Sequence, residues 1–275
     1  MRSTARVWQN WWMQLVAGLL MTVVIVLPWL WIGKDDSAIF PHASNDMLGL
    51  LVVFSVLTLL SAYFVRRMGR GVTKFAVMTD LGVVLALLGF VLQGLYAFNP
   101  QIFSGKISAS SEHQLWVVGS IFVVCQVLYY LIAKLPLLAA VPLVALLTTA
   151  ISYWLQIIAS LIGAVGEYAA YLSYAGPVVL GLVLGSLGFL RAANLLIWLL
   201  ALAIQWIMPA VFTALAGLGS SKKAGFGAGL ESFTDQVASN LSFSGLQGPS
   251  LATLAVAMLS SVVLLIVHKV KRRSH

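Results

Sequence analysis

Two carboxylates stand within otherwise apolar sequence, Asp80 and Glu167. An ionisable group held at membrane depth is costly, so each is a candidate functional group by default. Glu167 lies in GAVGEYAAYLSYAGP and is followed by Tyr168, Tyr171 and Tyr174. Gly163, Gly166, Gly176 and Pro177 weaken helix there. Below the membrane surface Glu167 would face a polar cavity and could hold a cation, a proton or a small substrate. At the surface it would be a solvated rim residue. Asp80 falls about one turn into an apolar segment. It could take an ion or proton, pair with Lys74 or with a basic residue of the neighbouring loop, or sit as an interfacial carboxylate where the helix dipole favours negative charge.

Other chemistry is thinly represented. His42, His113, His268 and His275 show no zinc-ligand spacing, and the single Cys125 does not join them. Cys125, in IFVVCQVLYY, reads as a small buried hydrophobe. Gly185-Ser186-Leu187-Gly188 is too short for a nucleophile elbow. Gly225-Phe226-Gly227-Ala228-Gly229 lacks the Lys-Ser/Thr of a phosphate loop. The expectation is therefore a protein that is not an enzyme and has no cofactor and no metal site.

These groups must be positioned by membrane helices. Of 275 residues, 61% are hydrophobic and 9% charged, whereas a soluble domain carries about 25% charged residues. Apolar length and flanking charge predict helices at about 11–32, 47–65, 75–98, 115–133, 135–163, 171–190, 192–218 and 251–268. The predicted fold is all-α: a polytopic integral membrane helix bundle of about eight transmembrane helices, forming a single membrane domain over 1–275. A long outer loop is expected at 219–250, where Leu230, Phe233, Val237 and Leu241 recur at helical spacing. That stretch fits either a short amphipathic helix or a solvated loop.

Charge orients the bundle. Arg2, Arg6, Arg66, Arg67, Arg70, Lys74, Lys134, Arg191, Lys269, Lys271, Arg272 and Arg273 fall on one side of this layout, leaving Lys34, Lys106, Lys222 and Lys223 on the other. Lys and Arg favour the cytoplasmic side, so both termini are expected there, in a bacterial cytoplasmic (inner) membrane. The net charge of +8 is then explained by the membrane, and no nucleic-acid partner is implied. Arg66, Arg67, Arg70 and Lys74 form the densest basic cluster, attracting anionic headgroups of the bilayer at roughly 1 kcal/mol per residue.

Small residues mark close helix packing. Gly181-x-x-x-Gly185 and Ala159-x-x-x-Gly163 each offer a flat face for helix approach, within the bundle or towards other membrane proteins. Pro28, Pro142 and Pro209 lie inside predicted helices, where each removes a backbone donor.

The run AGPVVLGLVLGSLGFLRAANLLIWLLALAIQWIMPAVFTALAGLG, residues 175–219, resembles the channel-forming inner-membrane subunits of type IV secretion and conjugation systems. The shared features are a Gly-Pro-led apolar helix, a short basic turn and a Trp-bearing apolar helix. The likeness covers about a sixth of the chain, and the aromatic residues that crowd the turn in that family are reduced here to Phe189. It implies a non-enzymatic subunit of a larger envelope translocation complex. The alternative is a secondary transporter with Glu167 at a broken-helix site.

Overall fold

In the computed structural model the chain is described over residues 10–32, 47–68, 73–98, 109–161, 163, 165–220, 226–241 and 243–273. Among these residues every regular element is an α-helix. They are α1 (Trp11–Ile32), α2 (Met47–Met68), α3 (Thr73–Phe98), α4 (Ala109–Lys134), α5 (Leu137–Leu161), α6 (Val165–Leu172), α7 (Ala175–Leu187), α8 (Ala192–Ser220), α9 (Phe226–Asn240) and α10 (Phe243–Arg273).

Among the described residues, seven segments are long and apolar enough to cross a membrane: Trp11–Leu30, Leu48–Met68, Thr73–Gly94, Leu137–Ser160, Ala170–Leu187, Ala192–Leu215 and Gly248–Val267. At 1.5 Å rise per residue, about 20 residues match the hydrocarbon thickness. The protein is thus an all-α polytopic membrane helix bundle. α4 begins with the polar residues ASSEHQ, and its apolar part includes Val118–Lys134. Helical structure extends into the expected outer loop, where α8 runs on to Ser220. α9 occupies its middle, and α10 starts at Phe243, with Pro249 inside it. In α9, Phe233, Gln236 and Val237 are half-buried while Ser232, Thr234, Asp235 and Ala238 are exposed. This one-sided pattern follows the three- and four-residue spacing of a helix face.

The chain divides into two compact units, residues 1–134 and 135–275. In the first, α1 packs chiefly on α3 and α2 on α4. Val52 through Leu59 of α2 are all buried, as expected for a helix enclosed by its neighbours. The α1–α3 crossing is built on two glycines. A methyl group on Gly18 would overlap the Thr79 carbonyl oxygen and sit 2.9 Å from Val83 N. One on Gly82 would overlap the Leu15 carbonyl oxygen and sit 3.1 Å from Leu19 N. Without side chains the two backbones meet directly, the device that serves helix association in lipid. Thr79 and Gln14, both fully buried, add a 3.1 Å side-chain hydrogen bond across the same crossing.

In the second unit α7 packs on α10 and α5, α5 on α8, and α8 on α9. Its core joins Val141, Ala145, Leu180, Leu184, Trp198, Ala201 and Ala257. Gly181 and Gly185 lie on the α7 face towards α10. A methyl on Gly181 would stand 2.8 Å from both the Thr253 carbonyl oxygen and Val256 Cβ. One on Gly185 would overlap the Ser260 hydroxyl and stand 2.9 Å from Ala257 O. Thr253 Oγ1 ties three helices: it lies 3.2 Å from Pro177 O of α7, 2.8 Å from Gln205 Oε1 of α8 and 3.0 Å from Pro249 O of its own helix.

Ala159 is buried near the end of α5. Gly163 lies beyond that helix with φ 71°, and no atom stands within 4 Å of where its methyl would be. Its position suits a left-handed turn at a helix end rather than a packing face.

Candidate functional site

The most developed polar site lies in the first unit, around Asp80. Asp80 is on α3, seven residues into the Thr73–Gly94 span. Lys74 is six residues earlier, about 240° away around a helix, and residues pair along a helix at spacings of three or four. Lys74 is exposed, and the partner of Asp80 is instead Tyr130 of α4, whose hydroxyl donates to Oδ2 at 2.8 Å. Gln126, one helical turn before Tyr130, makes a second side-chain hydrogen bond to the carboxylate.

The surrounding groups are held as firmly. Tyr129 is buried and donates to the Ala76 carbonyl at 2.7 Å, one turn before Asp80. The Tyr129 and Tyr130 rings meet edge to face with centroids 5.0 Å apart. Lys134 sits 5.5 Å over the Tyr130 ring, within the reach of a cation–π contact. Cys125 is buried and hydrogen-bonds with Thr58 of α2. Phe54 and Phe122 close the apolar side, edge to face at 6.2 Å.

Asp80, Gln126, Tyr129, Thr58, Ser61 and Cys125 line a small cavity of about 10 Å³, completed by Phe54, Leu57, Val83, Leu87 and Phe122. About one water needs 10–15 Å³ by this measure. The cavity therefore has room on the scale of a water and not of an organic solute. Gln126 Oε1 is buried there without a hydrogen-bond partner among the described residues. A carboxyl with a phenol and an amide as neighbours can accept or release a proton and exchange it through hydroxyls. No group of three His, Cys, Asp or Glu residues able to hold a metal occurs among the described residues.

The remaining sequence candidates are placed separately. Arg66 donates from Nη1 to the Ile132 carbonyl, so it serves the C-terminal turn of α4, where orphan carbonyls and the dipole both favour a cation. Arg67 and Lys74 are exposed. Arg70 lies outside the described residues, as do His42 and His275. Glu167 is on the short helix α6, but its side chain is outside the described residues. The bend after α6 is well defined: Ser152 of α5 donates to Ser173 O at 2.9 Å and accepts from Gly176 N at 2.9 Å. Gly176 itself sits against the Thr148 carbonyl.

Sequence reasoning singled out Asp80 but not its partners. Tyr129 and Tyr130 stand near the end of an apolar segment, where Tyr is at home in the headgroup region whatever it contacts, and Gln126 carries no signal taken singly. The available signal was spacing: Gln126 and Tyr130 are four residues apart, hence on one face of α4. In comparisons with known proteins, no family model, no curated protein and no solved structure matches this chain.

Proposed function

We propose that this multi-pass membrane protein is a non-enzymatic subunit of a larger complex of the bacterial cytoplasmic membrane, of the type IV-like secretion or conjugation kind, and that Asp80 is its proton-responsive group. One observation carries the assignment to Asp80. A carboxylate inside a spanning helix receives a phenolic hydrogen bond from a second helix, beside a cavity sized for water. That scale favours proton exchange over recognition of a substrate. The subunit reading is supported by the make-up of the described residues, which are nearly all helix and dominated by apolar spanning segments. The resemblance of residues 175–219 to channel-forming subunits points to the kind of machine.

Two measurements test these statements separately. Infrared difference spectra of the reconstituted protein between high and low pH should contain a carboxyl band that is lost in Asp80→Asn. An identical spectrum in that variant overturns the proton assignment. Purification from native membranes in mild detergent should bring down other envelope proteins in fixed proportion. A chain that purifies alone and is fully active alone overturns the subunit assignment.

A second reading rests on a different observation. The Ala170–Leu187 span is interrupted at Ser173–Tyr174, with Glu167 on the short helix before the break. Broken helices line transporter cavities, so this chain could instead move a small solute. Loss of a proton- or sodium-coupled uptake in Glu167→Gln would favour that reading.

A further inference from the structure

Sequence places Arg191 in the short turn between two apolar helices and Lys269 near the end of the last one, about one membrane crossing from the start of the Gly248–Val267 span. Folding brings them to one cleft. A cavity of about 830 Å³ opens between the end of α7, the α7–α8 turn and the last turns of α10, and both side chains line it. Its walls include Leu187, Leu190, Leu264 and Leu265. The cleft is therefore amphipathic, with cations beside an aliphatic trough.

The neighbouring polar groups are otherwise engaged. Asn194 donates from Nδ2 to Leu187 O at 2.7 Å and to Gly188 O at 3.1 Å, closing the carbonyl end of α7. Ser261 donates to Gly185 O at 3.0 Å. The carbonyls that could have drawn Arg191 inward are thus satisfied, and both Arg191 and Lys269 are exposed. Neither side chain has a carboxylate partner among the described residues. α8 begins at Ala192, so the positive end of its dipole lies beside Arg191.

We infer that this cleft is a binding site for one anionic phospholipid, its phosphate held by Arg191 and Lys269 and an acyl chain laid along Leu264 and Leu265. In a membrane a trough of aliphatic side chains is filled by lipid tails. Two cations with no carboxylate between them select a headgroup of net negative charge, and a guanidinium matches phosphate oxygens in a bidentate fork. The site is distinct from the Asp80 cluster and does not depend on the function assigned to it.

The test uses the full-length protein in a neutral detergent, with phosphatidylglycerol and phosphatidylcholine added in turn and bound lipid read by native mass spectrometry. One phosphatidylglycerol should be retained in preference to phosphatidylcholine. Its affinity should fall about fivefold in Arg191→Gln or Lys269→Gln and about thirtyfold in the double variant, at roughly 1 kcal/mol per cation near a charged surface. Lys222→Gln, which removes a cation just past the far end of α8 and outside the Arg66–Lys74 cluster, should leave retention unchanged. If the double variant does not fold, Leu265→Trp, which fills the trough and keeps both charges, should exclude the lipid instead. Equal retention of phosphatidylcholine, undiminished binding in the double variant or in Leu265→Trp, or equal displacement by millimolar inorganic phosphate would overturn the proposal. The last outcome would mark a simple phosphate site.

Discussion

The Tyr130 hydroxyl and the Asp80 carboxylate, fifty positions apart in sequence, meet at 2.8 Å across the α3–α4 contact. Interhelical hydrogen bonds in membranes are worth about 0.6 kcal/mol on average and up to about 2 kcal/mol. A double-mutant cycle of Tyr130→Phe and Asp80→Ala should therefore give a coupling of about 1 kcal/mol in unfolding titrations. Asp80→Asn keeps an acceptor oxygen and should preserve most of it. Strictly additive single effects would show that the pair contributes nothing to folding.

The α1–α3 crossing makes a sharper prediction because its limit is backbone. Gly18→Ala or Gly82→Ala places a methyl against a carbonyl oxygen of the facing helix, and neither side can yield by rotating a side chain. Each should destabilise the protein by about 1–3 kcal/mol, the usual cost of overpacking. Gly89 and Gly119, in the same unit, have no atom within 4 Å of an added methyl. Their alanine variants should be neutral or stabilised by up to about 1 kcal/mol through helix propensity. Thermal midpoints of the four variants in one detergent decide the matter.

Gly188 tests backbone conformation instead of space. It ends α7 with φ 72° and ψ 167°, a region essentially reserved for glycine. No atom lies within 4 Å of its missing methyl, so Gly188→Ala should cost about 1–3 kcal/mol through strain alone. A thermal midpoint equal to the parent protein's would contradict this assignment.

The spanning helices were readable because each is a long apolar run bounded by charge, a signal carried by single residues. Helix ends were less readable where polar residues continue the helix. The Ala109–Gln114 start of α4 and the Phe243–Ser250 start of α10 are the examples, since backbone hydrogen bonding does not stop where apolarity does. The close approach at Gly181 and Gly185 was legible from four-residue spacing. The Gly18–Gly82 crossing was not, because one glycine from each of two separate helices forms no local motif. Asp80 was legible from its cost in lipid, whereas its partner on α4 depended on which face that helix turns towards α3. The Arg191–Lys269 pair, 78 positions apart, left the same single-residue trace as any positive-inside anchor.

Orientation follows from the basic residues and can be checked directly. A reporter fused after His275 should be active only in a cytoplasmic form. One inserted at Gly227, at the start of α9, should be active only in an exported form. The opposite pattern would require an uneven number of crossings between Lys134 and Arg191 and would turn the basic end of α10 outward.

Thr253 and Gln205 allow a prediction of unequal effects from one contact. Thr253 is fully buried and Gln205 nearly so. Gln205 Oε1 accepts from Thr253, while Gln205 Nε2 has no partner among the described residues. Thr253→Val would leave the whole glutamine amide buried beside an apolar group. A stranded buried polar group costs about 1–3 kcal/mol. Gln205→Leu removes the amide and leaves Thr253 able to donate to Pro249 O or Pro177 O, so it should cost less than about 1 kcal/mol or stabilise. The double variant Thr253→Val/Gln205→Leu should then be more stable than Thr253→Val alone, because its second change removes the group stranded by the first. Unfolding titrations of the three variants would refute this account if Gln205→Leu proved the more damaging single change or if the double variant were the least stable of the set.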